Sequence, residues 1–559
     1  MLILETFYLI ASCLLFYPVG KLLFRDLDFI FQFFIGLLIG GLLISFTARF
    51  FPGYSRGILG FLSFSSLILL YGIYRHNLVS SLKELRKNFQ NKSKILLIFS
   101  SLFILFLFLL RDFSPFLFLF ESHDVHVFGP TIEIFNSNYI GNLKNPIIFP
   151  LELSAYHIFP GTFLGAANFL NPSIDLITLV NAKYILVSFF FAYGFFRVLN
   201  YHNFSFLSFA IGIILLLFFK ETVGYNLSIS SYLYQLILIF VAIMFFELDS
   251  KPNVSMFHEA FIGLLMIMVC VKIPIFYAIL PSLLYLFYKN PIIFFRPRLL
   301  SIGILSFLSL VAIVAIPQSP QVAEITRYSL MNIFDLDSVR SLAGLWFVEN
   351  RFLELFNFLD LEIFNSIQEK YFILLIKIFY ILVFYFGLAF LALQSFKSSI
   401  AKKALMIYLI TAILGWFFVR NNGNLDQQNH LFFNISILGL MLFFRAATFT
   451  RNSFRFSFNK YNLVFLAILL FVASDFKNFS NPKLSGDSIS YRQNNSMNLS
   501  DFLALKPVID QDRLVIDPEV PFWRQALISQ MSGKRIYYED LINSNVEFNG
   551  YHLAQYAIN

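Results

Sequence analysis

Charge is what this chain has least of. Only 13% of its 559 residues are Asp, Glu, Lys or Arg, where an ordinary soluble domain carries about 25%. A water-facing surface for a chain of this length cannot be built from so few, which excludes a soluble globular enzyme. Cysteine is scarce as well. Cys13 and Cys270 both fall inside apolar stretches, so there is no disulfide framework and nothing to read about redox compartment. No glycine-rich phosphate loop, GxGxxG, CxxC pair or HExxH occurs, which removes the common nucleotide and zinc signatures. No long-period repeat and no low-complexity linker interrupts the chain.

What is present is hydrocarbon. The chain is 58% hydrophobic, with a mean hydropathy of +0.72. Apolar runs of about 17–25 residues recur, the length needed to cross about 30 Å of bilayer. They lack the alternation of outer-membrane barrel strands. The 76 Phe residues read as Leu substitutes on lipid-facing helices rather than as an aromatic binding device. The expected fold class is an all-α polytopic integral membrane protein of about 12–14 transmembrane helices. Spans are predicted over 2–24, 28–48, 56–75, 95–111, 175–198, 204–220, 230–247, 259–271, 274–289, 299–317, 371–394, 404–419, 430–447 and 461–475. Lys272-Ile273-Pro274 divides 259–289 into either one kinked helix or two short crossings.

The net charge of +8 is no nucleic-acid footprint. Its basic residues cluster in short loops: Arg75, Lys83, Arg86, Lys87, Lys92 and Lys94 in 75–94; Lys289, Arg296 and Arg298 in 289–298; Lys397, Lys402 and Lys403 in 397–403; Arg445, Arg451, Arg455 and Lys460 in 445–460. The positive-inside rule places these loops in the cytoplasm. All four fall on one side only if 259–289 crosses twice, giving about fourteen spans with both termini outside.

Three large regions then lie outside: 112–174, 318–370 and 476–559. The transmembrane domain covers 1–475 with the first two as loops. In the first, Pro146–Leu153 and Ile158–Leu170 are too short to span and read as interfacial segments. The tail 476–559 is polar and mixed, a small extracytoplasmic α/β module. It reads as strand Arg513–Ile516, helix Phe522–Met531 and strand Arg535–Tyr538, with Gly533 as the helix stop.

Ionisable residues at a membrane boundary are costly and mark functional sites by default. Glu121-Ser122-His123-Asp124-Val125-His126 sets four ionisable side chains in six residues at the mouth of span 95–111. Glu121 and Asp124 are three apart, as are His123 and His126, so on a helix each pair shares a face. A carboxylate there suits a general base within reach of a hydroxyl. It equally suits a divalent cation, with Asp124 and Glu121 as ligands. A solvated polar cap is the bland alternative. Lys272 lies in an apolar stretch at the predicted outer surface, fit to hold a phosphate as a point charge or simply to snorkel. Arg420 and His430 bracket a short outer polar loop and could face an anionic headgroup, or belong to an ordinary hairpin. Arg327, Arg340, Arg351, Lys220 and Glu221 are weaker outer candidates. Large cytoplasmic loops are missing, so no nucleotide cofactor is expected, and an activated substrate would itself be membrane-bound.

These features together resemble the GT-C class of membrane glycosyltransferases. An acidic residue stands in the first large outer loop, in Ser122-His123-Asp124-Val125-His126-Val127-Phe128-Gly129-Pro130. A proline- and aromatic-containing stretch follows, Tyr156-His157-Ile158-Phe159-Pro160-Gly161. A run from Gly263 to Lys272 and Pro274 comes later. The resemblance spans most of the membrane region in order. It implies transfer of a sugar from a polyprenyl phosphate or diphosphate donor to a lipid, glycan or protein acceptor outside the cytoplasm, with inversion. It implies Asp124 as the base, Glu121 or His126 orienting it, and Lys272, Arg420, His430 and His123 on the lipid phosphate and substrate. Some members of the class need a divalent metal. The chain departs from it in placing three spans before the span that leads to the acidic loop, and in having one Asp beside histidines rather than an acidic pair. The implied location is a bacterial inner membrane with the site facing outward. A polymerase or ligase of lipid-linked glycans and a transporter or flippase are the alternatives.

Overall fold

The structure is a computed structural model. It describes residues 14–51, 54–74, 148–149, 190, 193, 194, 197, 229–251, 254–271, 273–314, 328–330, 393, 399–421 and 536–537. Helix dominates: α1 Tyr17–Leu23, α2 Phe29–Phe50, α3 Ser55–Tyr74, α4 Ile229–Ser250, α5 Ser255–Met268, α6 Ile273–Lys289, α7 Pro291–Phe294, α8 Pro297–Val314 and α9 Ser399–Phe418. The strands are short: β1 Ile148–Phe149, β2 Tyr328–Leu330, β3 Val419–Asn421 and β4 Ile536–Tyr537. Among the described residues one helix, over Phe29–Thr47, is long and apolar enough to cross a membrane by length and composition. Shorter apolar helices run over Gly60–Gly72, Ser255–Met268, Ile275–Lys289 and Pro297–Ala312.

The local signals are ordinary ones. Pro18 opens α1, where its missing N–H costs nothing. Asp28 caps α2, accepting from the Phe31 N–H at 3.0 Å. Between them the chain reverses tightly, and the Gln32 amide closes the turn. Its Nε2 lies 3.0, 2.9 and 2.7 Å from the carbonyls of Phe24, Arg25 and Leu27. The two helices then pack backbone to backbone. A Cβ on Gly20 would meet the Gln32 carbonyl oxygen at 1.8 Å, and one on Gly36 the Phe16 carbonyl oxygen at 2.1 Å. Such close contact needs small residues, the rule for helix pairs in apolar surroundings.

Cross-contacts fix the helix directions. Glu259, at the start of α5, pairs with Arg296 at 2.6 Å and Arg298 at 3.4 Å, beyond the end of α6. A continuous helix over 259–289 would hold its ends about 45 Å apart at about 1.5 Å per residue. So α5 and α6 form an antiparallel hairpin rather than one kinked helix. The reversal starts with short i→i+3 bonds from Cys270 to Ile267 and from Val271 to Met268. Helix α8 runs parallel to α5: Gly263 faces Leu299 and Ile302, Gly303 faces Met266, and Cys270 Sγ donates to the Ser306 carbonyl at 3.1 Å.

Helix α9 is antiparallel to α6. The Ser282 hydroxyl donates to the Ala404 carbonyl and that of Thr411 to the Ala278 carbonyl, both at 2.8 Å. These bonds flank Pro281, which breaks the α6 ladder. Helix α4 is antiparallel to α2, since Phe240 packs on Phe31 and Phe34 while Glu247 lies toward Asp28. Helical residues Phe190, Tyr193, Gly194 and Arg197 run alongside α4. Phe34, Phe190, Tyr193 and Phe240 form one aromatic cluster, with Phe34 stacked on Phe240 at 4.1 Å.

The sheet content is two pairs. β1 and β4 are parallel, Ile148 opposite Ile536. β2 and β3 are antiparallel, Ser329 opposite Arg420. β4 falls within the strand expected at Arg535–Tyr538. β1 falls within Pro146–Leu153, which the sequence reading takes as an interfacial segment. Ile148 and Phe149 of that stretch pair with Ile536 and Tyr537.

Candidate functional site

The two ends of the bundle differ. At one end are the α5–α6 reversal and the exit of α9 into β3. The Ala278–Thr411 contact lies within two helical turns of both, so Val271, Ile273 and Val419–Asn421 share that end. Arg420 continues directly from α9 and is held by strand pairing opposite Ser329. Of the residues expected to carry chemistry, Arg420 is the one whose backbone is described. Lys272 lies outside the described residues, although the helices on either side of it start and stop at the Arg420 end. Glu121, His123, Asp124, His126 and His430 also lie outside the described residues, as do Arg327, Arg340, Arg351, Lys220 and Glu221. Two separate strand pairs link stretches distant in sequence: Ile148–Phe149 pairs with Ile536–Tyr537, and Tyr328–Leu330 pairs with the strand holding Arg420.

At the other end two ion-pair clusters join helix termini. The Arg197 guanidinium lies 3.2 Å from Glu247 and 3.7 Å from Asp28, bridging three segments distant in sequence. Lys251 adds a longer contact to Glu247 at 3.9 Å. Glu259 has only 4% of its side chain exposed and is neutralised by Arg296 and Arg298. A buried carboxylate saturated by two guanidinium groups is no general base. These clusters hold helices together, and breaking either would leave a charge without its partner.

Among the described residues no group of three or more His, Cys, Asp or Glu side chains could hold a metal. The sequence reading passed over Glu259 and Arg197. The available signal was a lone ionisable residue at the edge of an apolar run, the same that drew attention to Lys272. Its partners, however, become visible only once α8 is laid beside α5. Comparison with known proteins finds no similarity: no family model, no curated protein and no solved structure matches the chain.

Proposed function

We propose that this chain is a multi-pass membrane glycosyltransferase, of the GT-C kind, that works at the extracytoplasmic face on a polyprenyl-phosphate-linked sugar. The observation that carries the reading is the Glu121–His126 cluster, four ionisable side chains in six residues just past an apolar run. Three structural features support it. The α5–α6 hairpin fits the two-crossing reading, on which the positive-inside rule would gather the basic stretches on one side. The helix directions, α2 against α4 and α6 against α9, follow the alternation that this reading demands. Helices α3 and α8 expose wide apolar faces, including Phe61, Phe64 and Ile68 on the first and Leu300, Ile304 and Phe307 on the second. Such surface is unusual in contact with water.

In the proposed reaction the Asp124 carboxylate takes the proton of an acceptor hydroxyl. The freed oxygen forms a bond to the anomeric carbon from the face opposite the leaving group, and the carbon–oxygen bond to the lipid phosphate breaks. The phosphate leaves with that electron pair, and the anomeric configuration inverts. Lys272, Arg420 and His430 stabilise the charge that builds on the phosphate. Glu121 or His126 orients the base, and His123 contacts substrate.

The test is Asp124→Ala and Asp124→Asn in purified protein supplied with lipid-linked sugar donors from its host membrane. A positioned base contributes about 10²–10⁴-fold, so transfer should fall by that factor while yield and elution profile stay normal. Full activity in both variants would remove Asp124 from the reaction.

One observation favours a second reading. The β2–β3 pair joins loop 318–370 to Arg420, an arrangement that also suits a polymerase or ligase using outer-loop arginines. Loss of activity in Arg420→Ala with Asp124 dispensable would select that alternative.

A further inference from the structure

The chain between α6 and α8 sets large apolar side chains on the surface beside cations. Tyr288 is 77% exposed, Ile292 76% and Phe295 65%, while Ile293 between them is buried. The same stretch carries Lys289, Arg296 and Arg298. Among the described residues the one carboxylate paired with them is Glu259, and it is shared by both arginines. Each arginine keeps more than a third of its side chain exposed. The Lys289 ammonium sits 4.9 Å above the Tyr288 ring and, among the described residues, pairs with no acid. Among the described residues, three cations therefore face one carboxylate.

We propose that residues 288–298 form a binding site for the headgroup of an anionic phospholipid. Ile292 and Phe295 enter the acyl boundary, Tyr288 lies at headgroup level, and Lys289 with Arg298 holds the phosphate. Arg296, at 2.6 Å from Glu259, positions the turn. Arg298 makes the looser 3.4 Å contact and keeps donors for a second anion. Excess positive charge selects an anionic partner. The apolar surface selects a lipid over a soluble acidic protein, because it continues past the patch along Leu284 and Phe287 of α6 and Leu300, Ile304 and Phe307 of α8. The cations thus rim an apolar wall, the usual pattern of an interfacial anchor.

The inference rests on the reading that the chain crosses a membrane. The full-length protein is reconstituted into nanodiscs of pure phosphatidylcholine and of phosphatidylcholine with phosphatidylglycerol. Lipid retained after detergent extraction is counted by native mass spectrometry. Wild type should retain phosphatidylglycerol selectively. A cation near a charged leaflet is worth about fivefold in partition, so Lys289→Ala with Arg298→Ala should lower retention about 25-fold; Lys289→Glu alone, which leaves the Glu259 pairs intact, should lower it in the same direction. Equal retention of the two lipids by wild type, or unchanged retention in the Lys289→Glu variant, overturns the inference and leaves the membrane reading standing. Failure to enter either nanodisc overturns both.

Discussion

Gln32 is only 3% exposed, and its amide donors are used in the α1–α2 turn. Backbone carbonyls in a turn between helices have no ladder partner, and a buried one needs a donor from elsewhere. The Gln32 amide, from the next helix, reaches the carbonyls of Phe24, Arg25 and Leu27 in the turn that follows α1. Gln32→Leu keeps the volume and removes the donors. Leaving buried acceptors unpaired should cost about 2–4 kcal/mol, read as a lower unfolding midpoint in detergent. A midpoint equal to wild type would mean that water reaches the turn. The residue was visible in the sequence as a polar interruption of span 28–48, but its role was not. A glutamine inside an apolar run does not reveal that the preceding helix ends eight residues earlier, within reach.

At the scale of the element, packing of α1 on α2 depends on hydrogen atoms where other residues have methyl groups. Gly36→Ala would place Cβ 2.1 Å from the Phe16 carbonyl oxygen, a backbone atom that cannot swing aside. Overpacking of this kind costs about 1–3 kcal/mol. Gly57→Ala and Gly72→Ala, in α3 with nothing within 4 Å, should instead be neutral or stabilising by up to about 1 kcal/mol. Thermal midpoints of the three variants check this, and a matching loss at all three would dismiss the close contact. Helices were the most legible part of the sequence. Spans 28–48, 56–75, 230–247, 274–289 and 299–317 coincide with α2, α3, α4, α6 and α8 to within a few residues, because long apolar runs have no other way to satisfy their backbone. Helix α5 starts earlier than predicted, at Ser255, because the paired and buried Glu259 no longer marks an aqueous boundary. The kink-or-hairpin choice was not legible locally. Lys272-Ile273-Pro274 fits either, and only the distant Glu259–Arg296 pair decides.

For the whole molecule, the decisive quantity is sidedness. The ion pairs at Asp28, Glu247 and Glu259 gather at the end where the basic loops begin, while β2 and β3 meet at the other. If the positive end faces the cytoplasm, a membrane-impermeant maleimide on intact cells should label a Ser122→Cys variant and spare Asn290→Cys, on a background lacking Cys13. The reverse pattern would turn the protein over and end the proposed chemistry. Little of the candidate site was testable from sequence, since its residues come from loops that are short of periodicity. Arg420 is the exception: it follows directly from a helix end, and the backbone there can be placed.

The Glu259 pairing also bears on how the chain is made. The acid is synthesised 37 residues before Arg296 and 39 before Arg298, so the hairpin leaves the ribosome with its carboxylate still unmatched. The first turn of α8 completes the match, which makes a nascent chain stopped just short of Arg296 the form most exposed to quality-control proteases.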